Sequence, residues 1–361
     1  MCWMQRRNCW MAASSYVMYL KRLQSCLSIH DVKSIMAHLV VPNSATLHLI
    51  RRFLDQRELF VDAPGPVVLE FHPQWAHMEP VALAAIAAWG AWWRSQGKTI
   101  EVRNLSNHTR YAARMHLFEH LGVNYNPEQV EHEEAGRFLP IRQISAREGV
   151  GPVIGDISAL LHLDDDPESL AAVQYCVSEL LRNVLEHSGS PNGAFVCAHR
   201  YTTGAPHRVS IAVADCGQGI ATHLGGVHPE ALASDSVALG LAMRPGVTGA
   251  RPGPYGTADN AGAGLFITRC IAKGTGGYFA LASGHAGFRQ RRSKKANDEI
   301  RLFVDPYDDP RHDKFEFAEG WHGTVVGLEI RTEKIADYDG FFQWIFKQIP
   351  SRRKRGKIKF S

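Results

Sequence analysis

Three short segments, taken in chain order, constrain this sequence more than anything in its composition. The first is Ser178-Glu179-Leu180-Leu181-Arg182-Asn183-Val184-Leu185-Glu186-His187-Ser188. Glu179, Asn183 and His187 recur every four residues, so a helix projects all three from one face. Leu170, Val173, Val177, Leu180, Leu181 and Val184 form the apolar stripe opposite. A carboxylate and a carboxamide on a common face offer hard oxygen ligands suited to Mg²⁺ with phosphate and water; a solvated polar face is the competing reading. The second segment, Ala214-Asp215-Cys216-Gly217-Gln218-Gly219-Ile220, directly follows the alternating strand Val209 to Val213. Its glycines let backbone approach a flat ligand, and Asp215 offers an acceptor to an exocyclic amine; a tight turn would look the same. The third, Asn260-Ala261-Gly262-Ala263-Gly264-Leu265-Phe266-Ile267, stands at the entrance to a helix. Glycines there leave backbone N–H groups free for phosphate.

Each segment alone is weak evidence, but together, in this order, they resemble the N, G1 and G2 boxes of the GHKL superfamily. That group includes gyrase, Hsp90, histidine kinases and MutL, with the anti-sigma-factor serine kinases closest in style. Gly323-Thr324 before the last strand matches the family's threonine near adenine. The resemblance covers about Ile144 to Thr332 within an ATP-binding domain spanning 136–332. It implies a Bergerat-fold α+β sandwich, one mixed sheet layered on helices, with residues 220–260 as the ATP lid. The cofactors it implies are ATP and Mg²⁺. Asn183 would coordinate Mg²⁺ and Glu179 would act as general base. Asp215 would bind the adenine amine above Gly217 and Gly219, with Thr324 behind it. Gly262, Gly264 and Leu265 would supply backbone donors to the phosphates, and His187 would join the nucleotide-binding set. One departure matters: relatives carry Lys or Arg three residues after the asparagine, where this chain has Glu186. Arg182 would compensate only by pointing the same way, and its helical angle sets it about 100° from Asn183.

The first half has a different grammar. Pro66 to Phe71 reads as a buried strand, Glu79 to Gln96 as a helix, Lys98 to Val102 as a strand and Asn107 to Leu121 as a helix stopped by Gly122. That alternation implies parallel pairing in a small α/β domain. Residues 36–130 resemble a STAS domain, the fold of anti-sigma-factor antagonists, giving a two-domain α/β chain. The family's phosphorylated Ser or Thr would fall in His77-Met78-Glu79-Pro80, which has no hydroxyl. Pro80 and Glu79 suit a first helical turn, and Glu79 alternatively stands in for the phosphorylated state. Later, Phe138 to Ile144, Gly277 to Ala282, Ile300 to Val304 and Gly323 to Ile330 read as strands and Leu265 to Ala272 as a helix. Gly225 to Gly262 reads as too polar and broken for a core element.

Composition removes several function classes. The formal charge is +4, but Lys347 to Ser361 holds seven Lys or Arg and no acid. The rest is slightly acidic, which argues against a nucleic-acid-binding body. Residues 333–361 form an aromatic and basic tail that either packs on its own domain or contacts nucleic acid or a membrane. Seven scattered cysteines without C-x-x-C spacing fit a reducing cytoplasm better than a zinc site or disulfide framework. Within an N-terminal segment of residues 1–35, Met1 to Leu20 weakly imitates a signal peptide without a clean cleavage site; a true start at Met18 or Met36 is the competing reading. His116 and His120 lack the glutamate placement of a zinc protease. Arg289 to Glu299 reads as a solvated loop, or alternatively as a docking point for a partner.

The function expected is therefore a GHKL-type Mg-ATP-binding signalling regulator, an ATP-dependent serine/threonine protein kinase or ATPase acting on a partner protein. That partner would belong to a sigma-factor or anti-sigma pathway, and a homodimer is compatible with the family. A two-component histidine kinase fits less well, because Glu131 to Asp166 is too short and broken for a dimerisation hairpin. The alternative is a non-transferring, ATP-driven switch using the STAS-like domain.

Overall fold

The computed structural model describes residues 36–125, 127, 137–161, 167–202, 207–249, 262–292 and 301–331, together with 343, 345 and 347. It is an α/β protein with two main sheets. The strands β1 (His38–Val41), β3 (Val67–Phe71) and β5 (Ile100–Arg103) form a parallel sheet in the order β1-β3-β5, and β2 (Ser44–Ala45) pairs with β4 (His77–Met78). The parallel pairing expected from the alternating pattern is present. The second sheet holds β6 (Phe138–Ile144), β7 (Ala194–Tyr201), β8 (Arg208–Asp215), β9 (Phe279–Gln290) and β10 (His312–Arg331), in the order β6-β7-β8-β10-β9. All four pairings are antiparallel, not mixed as expected.

Strand alternation gives this sheet two unlike faces. One face carries Val196, Ile211, Val213, Phe279, Leu281 and Leu328 and packs on α5 (Val150–Leu161), α6 (Pro167–Asn183) and α9 (Gly264–Gly274). The other carries Cys197, Ala212, Ala214, Ala280 and Ala282 and packs on α2 (Pro80–Ser95), preceded by α1 (Ile50–Leu54). Helix α2 begins with proline at its first turn and buries every residue except Trp92, Arg94 and Ser95. Its alanines meet the sheet's alanines, and the small side chains allow close approach. Gly327 of β10 extends that contact: a Cβ there would lie 2.4 Å from Leu47 Cδ1 and 3.0 Å from Val81 Cγ2. The parallel sheet, α2 and the back of the antiparallel sheet thus share one core.

Three local expectations are revised. Asn107 to Leu121 is not one helix but a 3₁₀ turn, α3 (Arg110–Arg114) and α4 (Leu117–Leu121), broken at His116, whose φ is 60°. The Met115 carbonyl accepts the Ile141 N–H instead of a helical donor, which pulls the chain out of register. Of the strand expected over Ile300 to Val304, Ile300 lies outside the described residues and residues 301–304 form no strand. The glycine-rich stretch, which α7 (Gly219–Gly225) leads into, contains a 3₁₀ turn and α8 (Asp235–Ala242), and Leu239 and Met243 enter the second core, while residues 250–261 lie outside the described residues. Arg289 and Arg291 pair with Asp313 and Arg292 with Glu329, so the start of the basic stretch is tied down. Residues 293–299 lie outside the described residues, as do 1–35 and, apart from Gln343, Ile345 and Lys347, the tail; Ile345 is buried in the second core. Among the described residues no helix is long and apolar enough to cross a membrane.

Candidate functional site

A cavity of about 280 Å³ opens between α6, α7, α9 and the ends of β8 and β10. Glu179, Asn183, His187, Asp215, Gly219, Gly262, Gly264, Leu265 and Thr324 all line it. The three separately read segments therefore meet at one place. Gly217 does not line it. A Cβ on Gly217 would stand 2.2 Å from the Ser188 carbonyl oxygen, and its N–H donates to Asp215 Oδ1 at 2.8 Å. Its place is behind the aspartate, holding it, rather than under a ligand. Asn260 and Ala261 of the third segment lie outside the described residues.

Asp215 ends β8 and sits opposite Thr324 of β10. The carboxyl is 1% exposed, and burial pushes it up to about 7 against the pull of the Gly217 and Thr324 N–H groups. The surrounding strand ends are fastened by groups that sequence reasoning missed. The Trp321 indole N–H donates to the Asp215 carbonyl at 3.1 Å. Ser283 Oγ donates to the Gly323 carbonyl at 2.6 Å and accepts the Ile220 N–H at 3.0 Å. Neither carried a signal in the sequence, because each depends on strand register across the sheet.

Helix α6 supplies the polar wall. After Asn183 it loosens into a π turn, Val184–Ser188, ended by Gly189 in the left-handed region. Glu179 is buried and pairs with Arg182; burial raises its carboxyl pKa and the guanidinium opposes that rise. Arg182 and Glu186 also line the cavity, so Arg182 borders the same space as Asn183 despite its different helical angle. Glu186 is held at 2.6 Å by Arg147. His187 stacks on His223 of α7, centroids 4.4 Å apart, and burial together with His187 lowers the His223 pKa. At the far wall Gly262 has φ 82°, and a Cβ there would meet the Val247 carbonyl oxygen at 2.4 Å, so only glycine fits the approach. Its own carbonyl accepts the Gly246 N–H at 3.0 Å.

The cavity thus combines a buried acceptor beside a hydroxyl, apolar flanks from Val213, Val326, Leu180 and Leu224, a carboxylate and carboxamide on one wall, and a glycine-rich helix N-terminus. That donor set suits a flat ring with an exocyclic amine at one end and a phosphate with a divalent cation at the other. His116 and His120 do not line the cavity, and His120 Nε2 bonds the Ile141 carbonyl at 3.0 Å. No group of three metal-ligating side chains occurs among the described residues. No family model, curated protein or solved structure matches the chain.

Proposed function

We propose that this cavity binds an Mg-adenine nucleotide and that the protein is a GHKL-type signalling regulator, a serine/threonine protein kinase or ATPase acting on a partner protein. One observation carries this: three segments, each ambiguous alone, converge with Thr324 on a single cavity whose donor chemistry matches the parts of a nucleotide. On this reading residues 136–332 form a Bergerat-type ATP module and 36–130 a STAS-like unit in a cytoplasmic protein. Asp215 accepts from the adenine amine, with Thr324 beside it. Asn183 supplies the protein's oxygen ligand to Mg²⁺, which neutralises phosphate charge when bound. Glu179 accepts the proton of the attacking hydroxyl or water.

A second reading, a nucleotide-driven switch without transfer, is favoured by the ion pair that engages Glu179. In either case α2 lies in the shared core, so a partner would meet the STAS-like unit on another surface. Calorimetry with ATP, with and without Mg²⁺, tests the proposal. Asp215→Asn should weaken ATP by about 1–3 kcal/mol. Asn183→Ala should weaken Mg-ATP more than ATP in EDTA. Unchanged affinity for the first variant removes the adenine assignment; equal weakening in both buffers removes the metal assignment. Glu179→Ala should cut turnover about 10²–10⁴-fold with binding retained if the protein is an enzyme. Partner binding that still responds to ATP in that variant favours the switch.

A further inference from the structure

Among the described residues lining the cavity, Arg182 is the one arginine or lysine. Its side chain is 43% exposed, whereas the Glu179 side chain it pairs with is 7% exposed. A partly exposed side chain that lines the cavity is therefore paired with a nearly buried carboxylate. Glu179 in turn abuts the glycine helix entrance: a Cβ on Gly264 would lie 2.8 Å from Glu179 Cβ and 3.1 Å from its Oε2. Gly264 opens α9, which has 11 residues, no side-chain cap and no acid in its first turn. Arg182 and the first residue of α9 thus both lie against Glu179. The other carboxylates are accounted for elsewhere, Glu186 by Arg147 and Asp215 by backbone N–H groups. Arg182 is the cation placed to change partner without leaving the cavity.

Building on the nucleotide reading, we infer that Arg182 is the phosphate-recognising residue of this cavity, and that a nucleotide's phosphate chain displaces the Glu179 carboxylate from its guanidinium. The planar fork of donors on arginine fits phosphate as well as carboxylate, and the multiply charged phosphate is the stronger acceptor. The positive end of α9 holds that phosphate from the opposite side. Recognition of phosphate and release of Glu179 are then one event. The cation that Glu186 fails to provide, three residues after Asn183, is provided one residue before it. Release also matters chemically, because Arg182 opposes the rise that burial imposes on the Glu179 carboxyl. Without its partner the carboxyl moves closer to neutrality, where a general base works best. The carboxylate is thereby kept engaged until a phosphate arrives.

The test is calorimetric titration of the full chain with adenosine, ADP and ATP, in wild type, Arg182→Gln, Glu179→Gln and the double variant. Arg182→Gln should lose about tenfold or more in ADP and ATP affinity, with adenosine little changed. Glu179→Gln should bind ADP more tightly, because the guanidinium no longer has a charged competitor. A merely structural ion pair would not produce that gain. Arg182→Gln alone leaves a buried unpaired carboxylate that can unfold the site. The double variant, neutral at both positions, avoids this and should show the same ADP loss relative to Glu179→Gln. Equal ADP affinity in Glu179→Gln and the double variant, or ADP binding weakened by Glu179→Gln, overturns the exchange. A wild type that binds adenosine and gains nothing from the phosphates of ADP also overturns it, while the adenine site stands. A wild type that binds none of the three ligands overturns both.

Discussion

Asp215 shows how one side chain couples the site to the stability of the whole protein. Burial raises its carboxyl from 3.8 to about 7. Between those values the unfolded chain has lost the proton and the folded chain keeps it. Stability therefore falls as pH rises through that window and levels off above it. Asp215→Asn cannot ionise and should flatten the slope; urea midpoints at about pH 5 and about pH 8 measure it. Parallel profiles for variant and wild type would mean that the folded protein holds Asp215 ionised at both. The same variant should be the poorer nucleotide binder, so a gain in stability at neutral pH would accompany a loss at the site. Gly217 gives the complementary case. Its Cβ would sit 2.2 Å from the Ser188 carbonyl oxygen and 2.9 Å from Asp215 Oδ1. Gly217→Ala should cost about 1–3 kcal/mol of overpacking in thermal unfolding, although the residue does not line the cavity. The D-x-G-x-G spacing after a strand brought Asp215 to the cavity wall, whereas Gly217 stands behind it. The sequence misjudged the role of Gly217, because which atoms a glycine lets approach is decided by the π turn 29 residues earlier, at Ser188.

At the scale of elements, the segment expected to be a lid divides into parts with different energetics. Helix α8 is capped by Ser234 Oγ, which accepts the Val237 N–H at 3.2 Å. It is anchored by Asp235, which accepts the His285 N–H at 2.7 Å, and by the ion pair Arg244–Asp305 just beyond it. Leu239 is fully buried. Leu239→Ala should therefore destabilise the protein by about 2–5 kcal/mol, as a core leucine does, and a thermal melt reads it. A change below about 0.5 kcal/mol, the range of surface positions, would assign the helix to a mobile lid. The abundance of glycine and proline around this helix hid it, since Asp235 to Ala242 contributes only about two turns of pattern. The polar wall was more legible: the period of four in Glu179, Asn183 and His187 brings all three to the cavity. What the period could not supply was the π turn after Asn183, which comes with Arg182 and Glu186 also lining the cavity.

For the molecule as a whole, the decisive contact is α2 against the back of the antiparallel sheet. Removing residues 36–125 would uncover Phe195, Cys197, Ala212, Ala214, Val325 and Trp321, a contiguous apolar face. A chain starting at residue 137 should therefore be recovered aggregated or oligomeric in size-exclusion chromatography, not as a folded monomer. The intact protein should melt in one calorimetric transition covering both sheets. Two separated transitions would make the halves independent. The parallel pairing of β3 with β5 was legible in the strand and helix alternation, because that connectivity leaves few choices, whereas β1 was not read as a strand. The docking was not, since an alanine-rich helix and an alanine-lined sheet face carry no conspicuous signature when read apart. Gly327 sets the tolerance of that joint. Its missing side chain is the socket for Leu47 and Val81, so a substitution in the last strand is judged by residues 280 and 246 positions earlier. Lineages carrying this protein should accordingly inherit the two halves as one block. A half exchanged with a distant homologue would bring its own bumps and hollows, and the mismatch would fall first on that glycine.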